Sequence, residues 1–299
     1  MISQFLALHS CQRCAVAILF VLFGGSVASA DEHIGGHLWY TDYFEAYREA
    51  QEEHKLLFLF FRDNKQSRVA DAYVSKVLSH PELHDALDEC VRVILPVSVE
   101  VPGTDDSLPT KLLDHEAFEH MEHRQGIAVM DLIDDETGQY GKLISAHPFT
   151  PGRHYTMHAT QTVLGLPRAS VTQRALIYAV RIHPEHPKST ECDVDLHLLS
   201  ETHKHSRVMA RIEQVGHHNW GRRFHELNSH FEHLIVSEVA AVSWGGESLI
   251  DGAKDCVAAW RQSSGHWAGV SGEHVFYGYD LVLGASGKWY ATGLFASER

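Results

Sequence analysis

Six consecutive apolar residues, Leu56 to Phe61, suit a strand buried on both faces. The apolar stretches Val91 to Val101 and Ile127 to Asp134 predict two more strands. Thr137-Gly138 then turns the chain into a hairpin partner over Tyr140 to Ala146. Tyr43, Ala46, Tyr47 and Ala50 recur at helical spacing between Asp42 and His54. Further helices are expected over 68–78, 81–90 and 112–124, with a polar turn from Arg62 to Ser67. Pro148 to Pro167 collects Pro, Gly and Thr and reads as the domain boundary. Beyond it Thr172 caps a helix through Val180, which His183-Pro184-Glu185-His186-Pro187 breaks. Leu196 to Gln214 forms another helix, ended by Gly216-His217-His218-Asn219-Trp220. Ala253, Cys256, Val257 and Trp260 form a helical stripe. Ser263-Ser264-Gly265 closes it and presents His266 on a turn between Trp260 and Trp267.

Residues 1–30 stand apart from this pattern. Arg13 is their only formal charge, and Ala15 to Phe23 is an apolar run too short for a bilayer. Ser26-Val27-Ala28-Ser29-Ala30 supplies small residues for cleavage, so a secretory signal peptide and a secreted or periplasmic location are expected. Cys11 and Cys14 would leave with it. The remaining chain carries 24 Lys and Arg against 39 Asp and Glu. That balance argues against nucleic acid and anionic membrane surfaces as partners. No transmembrane segment is expected after cleavage. Cys90, Cys192 and Cys256 remain, allowing at most one disulfide plus a free thiol. The chain holds 24 histidines, scattered along its length, so its charge depends strongly on pH between 5 and 7.

The order of elements from Trp39 to Thr150, with a lysine before the first core strand, resembles the thioredoxin fold. That resemblance implies a redox C-x-x-C after the core strand, where a helix N-terminus lowers a thiol pKa. Arg62-Asp63-Asn64-Lys65-Gln66-Ser67 has no cysteine there, and no proline precedes Ile127. Dithiol exchange needs two thiols. The expected domain is therefore thioredoxin-like without thioredoxin chemistry.

The second half carries another set of matches. These are His205-Ser206-Arg207-Val208-Met209-Ala210, then Gly216-His217-His218, then Ser237-Glu238-Val239-Ala240. Cys256-Val257-Ala258-Ala259-Trp260 followed by Ser263-Ser264-Gly265-His266 completes the set. Tyr277 to Asp280 and Trp289 to Phe295 follow as strands. Together they resemble the CAP superfamily of cysteine-rich secretory, antigen 5 and pathogenesis-related proteins, in its bacterial form. Ser264 stands where that family has proline, and Val239 where it has asparagine. The resemblance implies a three-layer α-β-α sandwich with a cavity lined by His217 or His218, by Glu238 or alternatively Glu247, and by His266. Independently of the family, two imidazoles and one carboxylate make a suitable set for Zn²⁺ or another divalent metal, or for acid–base work.

The expected architecture is α/β. A signal peptide over 1–30 precedes a thioredoxin-like domain over 31–150, a linker over 151–169 and a CAP-like domain over 170–299. The expected function is a non-catalytic binding module for a protein, lipid or cell-wall ligand, with a divalent metal as an option. An extracytoplasmic hydrolase of peptidase type, working through the His/Glu cleft, is the alternative. A chaperone-like or redox-partner role of the first domain is a third. Weaker candidates are Glu201 with His205 and His203, and His115 with Glu119 and His123, each at helical spacing. Ser263 and Ser264 beside His266 suggest a Ser-His pair that neighbours rarely realise. Trp220, Arg222, Arg223 and Phe224 could line a groove, though loop packing is the expected role, and Trp260 and Trp289 read as core aromatics.

Overall fold

The computed structural model describes residues 31–63, 67–102 and 108–299. The leader with Cys11 and Cys14, and part of the polar turn after Arg62, lie outside the described residues. A short hairpin of β1 (Glu32–Ile34) and β2 (His37–Trp39) leads to α1 (Tyr43–Glu52), whose first turn is capped by Asp42 accepting from Glu45 N at 2.9 Å. Next come β3 (Leu56–Arg62), α2 (Arg68–Tyr73), α3 (His84–Asp88) and β4 (Cys90–Pro96). A small pair, β5 (Glu100–Val101) and β6 (Thr110–Lys111), precedes β7 (Gly126–Asp131) and β8 (Leu143–Pro148). The first sheet has the order β4-β3-β7-β8, with β3 parallel to β4 and antiparallel to β7, and β8 antiparallel to β7. The helix expected over 112–124 is instead two short 3₁₀ segments, Leu112–Asp114 and Glu116–Met121.

Both faces of β3 are covered, as its unbroken apolar run requires. Leu57, Leu59 and Phe61 pack with Tyr43, Ala46 and Phe118 on one side. Phe58 and Phe60 join Trp39, Tyr73 and Leu176 on the other. Each such side chain taken out of water contributes about 1.5–3 kcal/mol.

The stretch 151–169 is not a free linker. It contains α4 (Met157–Leu164), capped by Thr156, with Thr160, Val163 and Leu164 buried. Helix α5 (Val171–Arg181) follows. It begins with a capping box between Ser170 and Gln173, two residues earlier than a Thr172 cap would place it. Every residue from Gln173 to Val180 is buried. A helix buried all round must be covered on all sides, and α5 meets β8 on one side and α8 and β11 on the other. The two halves thus share one apolar cluster, which runs from Phe58 and Phe60 through Leu176 and Ile177 to Trp260 and Tyr279.

Arg174 of α5 is wholly buried without a carboxylate partner. It donates to Ser145 Oγ at 2.7 Å and to the carbonyls of Val163, Leu166 and Pro167 at 2.7–2.8 Å. Burial pushes it down to about 9. It ties β8, the end of α4 and α5 together.

The second half adds β9 (Asp193–Val194), α6 (Leu196–Ile212), α7 (Trp220–His230), β10 (Leu234–Gly245), α8 (Leu249–Arg261), α9 (Ser264–Ser271), β11 (Phe276–Leu283) and β12 (Lys288–Glu298). Its sheet runs β10-β12-β11-β9, antiparallel except for the β9–β11 edge. Helices α5 and α8 cover one face, and α6 lies against β11 and β12 on the other. A Cβ at Gly278 would fall 2.6 Å from the Leu198 carbonyl carbon, so glycine permits the close seating of α6 on β11. The fold is therefore of mixed α/β class. No helix among the described residues is long and apolar enough to cross a membrane.

Cys90, Cys192 and Cys256 are all free, so the single disulfide that composition allowed is not formed. Cys90 and Cys256 are core residues. Burial pushes the Cys90 thiol up to about 12 and raises Cys256 as well, which makes them unreactive fillers.

Candidate functional site

Strand alternation sets the site. Val236 and Ala240 of β10 pack among the residues of the α6 side, whereas Val239 and Ala241 join the shared core. Glu238 belongs with the former, opposite Leu294 in the ladder, and its side chain is 1 % exposed. A buried carboxylate must be partnered. Oε1 accepts from His217 Nδ1 at 3.0 Å and lies 3.5 Å from His205 Nε2. Oε2 lies 2.5 Å from Nη2 of Arg223. That last approach lacks hydrogen-bond alignment. Oε2 and both Nη atoms of Arg223 are thus buried with charge contact but no hydrogen bond inside the protein. The guanidinium also sits 5.6 Å above the Trp220 ring.

His266 completes the cleft, its ring centroid 5.8 Å from that of His217. It is not on a turn after a helix end. Ser263 caps a new helix, α9, by accepting from His266 N at 3.5 Å, which places His266 in that helix's first turn. Ser263 is thereby a cap, not a nucleophile. His218 turns away, with Nε2 on the carbonyl of Gln214 at 3.0 Å. Glu247 lies outside this cleft and lines a separate cavity with His203 and Trp289. Of the alternatives open in the sequence, the structure brings together His217, Glu238 and His266.

The electrostatics follow from these contacts. Burial works to raise Glu238, but the hydrogen bond from His217 and the charge of Arg223 prevail and hold it below the usual carboxylate value. The same hydrogen bond lifts His217 above the ordinary imidazole value. Burial lowers His205, which gives its Nε2–H to the Gly216 carbonyl at 2.9 Å. Burial and the neighbouring His217 lower His266.

The metal reading meets a specific obstacle. Both oxygens of Glu238 are engaged, one of them by a guanidinium where a cation would bind. No group of three or more His, Cys, Asp or Glu among the described residues is arranged to hold a metal ion.

Two further members of the cleft are residues that the sequence singled out for other roles. His205 shares the buried stripe of α6 with Leu198, Thr202 and Met209, a spacing visible in the sequence. Arg223 lies on α7, where the sequence suggested a loop. The weaker candidates disperse. Glu201 pairs with Lys204 at 2.6 Å, and His203 with Asp280 at 2.7 Å. His123 pairs with Asp114 at 3.1 Å, while His115 Nδ1 accepts from Ala117 N. Trp260 and Trp289 are core aromatics, as expected.

The chain matches no family model, no curated protein and no solved structure.

Proposed function

We propose that this is an exported, non-catalytic binding protein whose cleft at Glu238, His217, His266 and Arg223 receives an anionic or acceptor group of its ligand. The observation that carries the reading is Nη1 of Arg223, buried in the cleft with no hydrogen bond, beside the Nη2 that meets Oε2 of Glu238. Buried polar atoms without hydrogen bonds are rare and call for an explanation. This one stands beside a histidine whose affinity for its proton is raised. With Glu238 neutralised by Arg223, a protonated His217 leaves a net positive cleft, which suits an anion.

The order β4-β3-β7-β8, with its mixed directions, supports a thioredoxin-like reading of the first half. Helices on both faces of the second sheet support a divergent CAP-like reading of the other half, with the cleft in the place that resemblance implies. The ligand class remains a protein, lipid or cell-wall component. A divalent metal would have to displace Arg223 from Glu238.

The test follows the His217 and His266 ring resonances during titration with acetate, with phosphate and with zinc chloride. Millimolar anion should move both resonances, and an Arg223→Met variant should lose the response. Resonances that ignore both anions but shift stoichiometrically with zinc would sink this reading.

A further inference from the structure

A second cavity, of about 480 Å³, opens where the two halves meet. Its first-half wall includes Glu119 and Glu122, and its second-half wall includes His203, Glu247, Leu281 and Trp289. Its floor is built around one pair. Asp280 of β11 is fully buried, and it accepts from His203 Nδ1 at 2.7 Å and from Leu281 N at 2.8 Å. A carboxylate can only accept here, so the Nδ1 proton belongs to this bond and fixes the ring's orientation. Nε2 has no hydrogen bond among the described residues, and the half-exposed ring lines the cavity. A buried acid holding an imidazole from behind, with its far nitrogen free, is how proteins preset a histidine toward a ligand.

The charge of the lining is one-sided. No Lys or Arg belongs to it. With His203 neutral, its pair with Asp280 carries one negative charge, which adds to those of the three glutamates. Glu122 is answered by Arg124, and Glu119 stands 3.4 Å from His120. Glu247 has no ion pair among the described residues, and its own carbonyl fixes the indole of Trp289 at 3.0 Å. Beneath these acceptors Leu249, Leu281 and Trp289 offer an apolar surface.

We infer that this cavity is a binding site for a small organic amine with an apolar body. The ammonium would lie between Glu247 and Nε2 of the neutral His203 and donate to both, and the hydrocarbon would rest against Trp289. The inference is independent of the cleft at Glu238, which lies at different residues.

Calorimetric titration of the full chain with n-butylamine and phenethylamine tests it, alongside phenethyl alcohol and 3-phenylpropionate. The amines should bind, the alcohol at least about tenfold more weakly, and the carboxylate not at all, since an ion pair in a partly dry site exceeds a hydrogen bond by about that factor. Glu247→Gln and His203→Gln should each weaken amine binding at least about fivefold, with circular dichroism confirming the fold. Glu232→Gln, which removes an exposed charge elsewhere, should not. The inference is overturned if no amine binds, if alcohol and amine bind alike, or if neither cavity substitution changes the affinity.

Discussion

The two sheets bury charged and polar groups in opposite ways. In the first, Asp131 is fully buried and meets Arg168 at 2.8 Å, and Ser145 meets Arg174 at 2.7 Å. Those arginines do not titrate in the physiological range, and they tie β7 and β8 to the chain around α4 and α5. In the second, the buried carboxylates Glu238 and Asp280 are met by His217 and His203, both partly exposed. An arginine partner closes a buried charge off, whereas a half-exposed histidine connects it to solvent or ligand. The difference separates polar groups sealed inside the fold from polar groups that open onto its surface. Arg223 on Glu238 is the mixed case, with both kinds of partner on one carboxylate.

The comparison can be broken first at Arg174. Replacing it with Met strands three carbonyls and a hydroxyl in the core. Urea denaturation should show a loss of more than about 4 kcal/mol, a large part of a domain's usual 5–15 kcal/mol. Glu238→Gln should cost less, about 2–3 kcal/mol, because it leaves Arg223 without a counter-charge in a cleft that water can partly reach. Its pH dependence sharpens the contrast. Glu238 is held below its usual 4.5, so its contribution is present above that pH and is lost as pH falls through the lowered value. His217 is held above 6.5, so its contribution is full below 6.5 and fades as pH rises through the raised value. The pair is strongest between about 4.5 and 6.5, and Glu238→Gln should erase that maximum. A loss as large and as pH-independent as that of Arg174→Met would make the cleft merely structural.

The smallest effect is expected at His147 of β8. It is buried between Tyr155 and Tyr178 with Nδ1 unpaired, and burial pushes its imidazole down to about 3. The unfolded chain takes up that proton below 6.5 and the folded chain does not, so stability falls as pH drops from 6.5 toward 3. At pH 5 the loss is about 2 kcal/mol, at 1.36 kcal/mol per pH unit. His147→Gln should flatten this part of the wild-type curve. An unchanged slope would show that His147 is charged within the core.

Much of this arrangement was legible in the sequence. The run Leu56–Phe61 announced a strand covered on both faces, and the CAP resemblance led to strands over Tyr277–Asp280 and Trp289–Phe295, which lie within β11 and β12. His217 or His218, Glu238 or Glu247, and His266 were brought together only by the CAP resemblance, since no local spacing links residues this far apart in the chain. Helix α7 was not legible. It starts at Asn219 in a left-handed conformation with no capping side chain, and Leu227 is its one buried residue. Trp220, Phe224 and Leu227 do recur at helical spacing, but no capping residue marks the start and the segment reads as a loop. Arg223 falls on that loop with it. The boundary at 151–169 misled for a different reason. Its Pro and Gly residues mark turns, but turns around a buried helix have the same composition as turns in a tether.

The helix shared between the sheets also governs the order in which the chain can mature. The side of β3 that carries Phe58 and Phe60 is covered in part by Trp39, Tyr73 and Phe149, and the cover is complete only when residues near Leu176 have been made and have folded onto it. A nascent chain that stops near residue 150 would leave part of that apolar face exposed. The N-terminal half is thus a dependent partner, completed only by sequence that is synthesised after it.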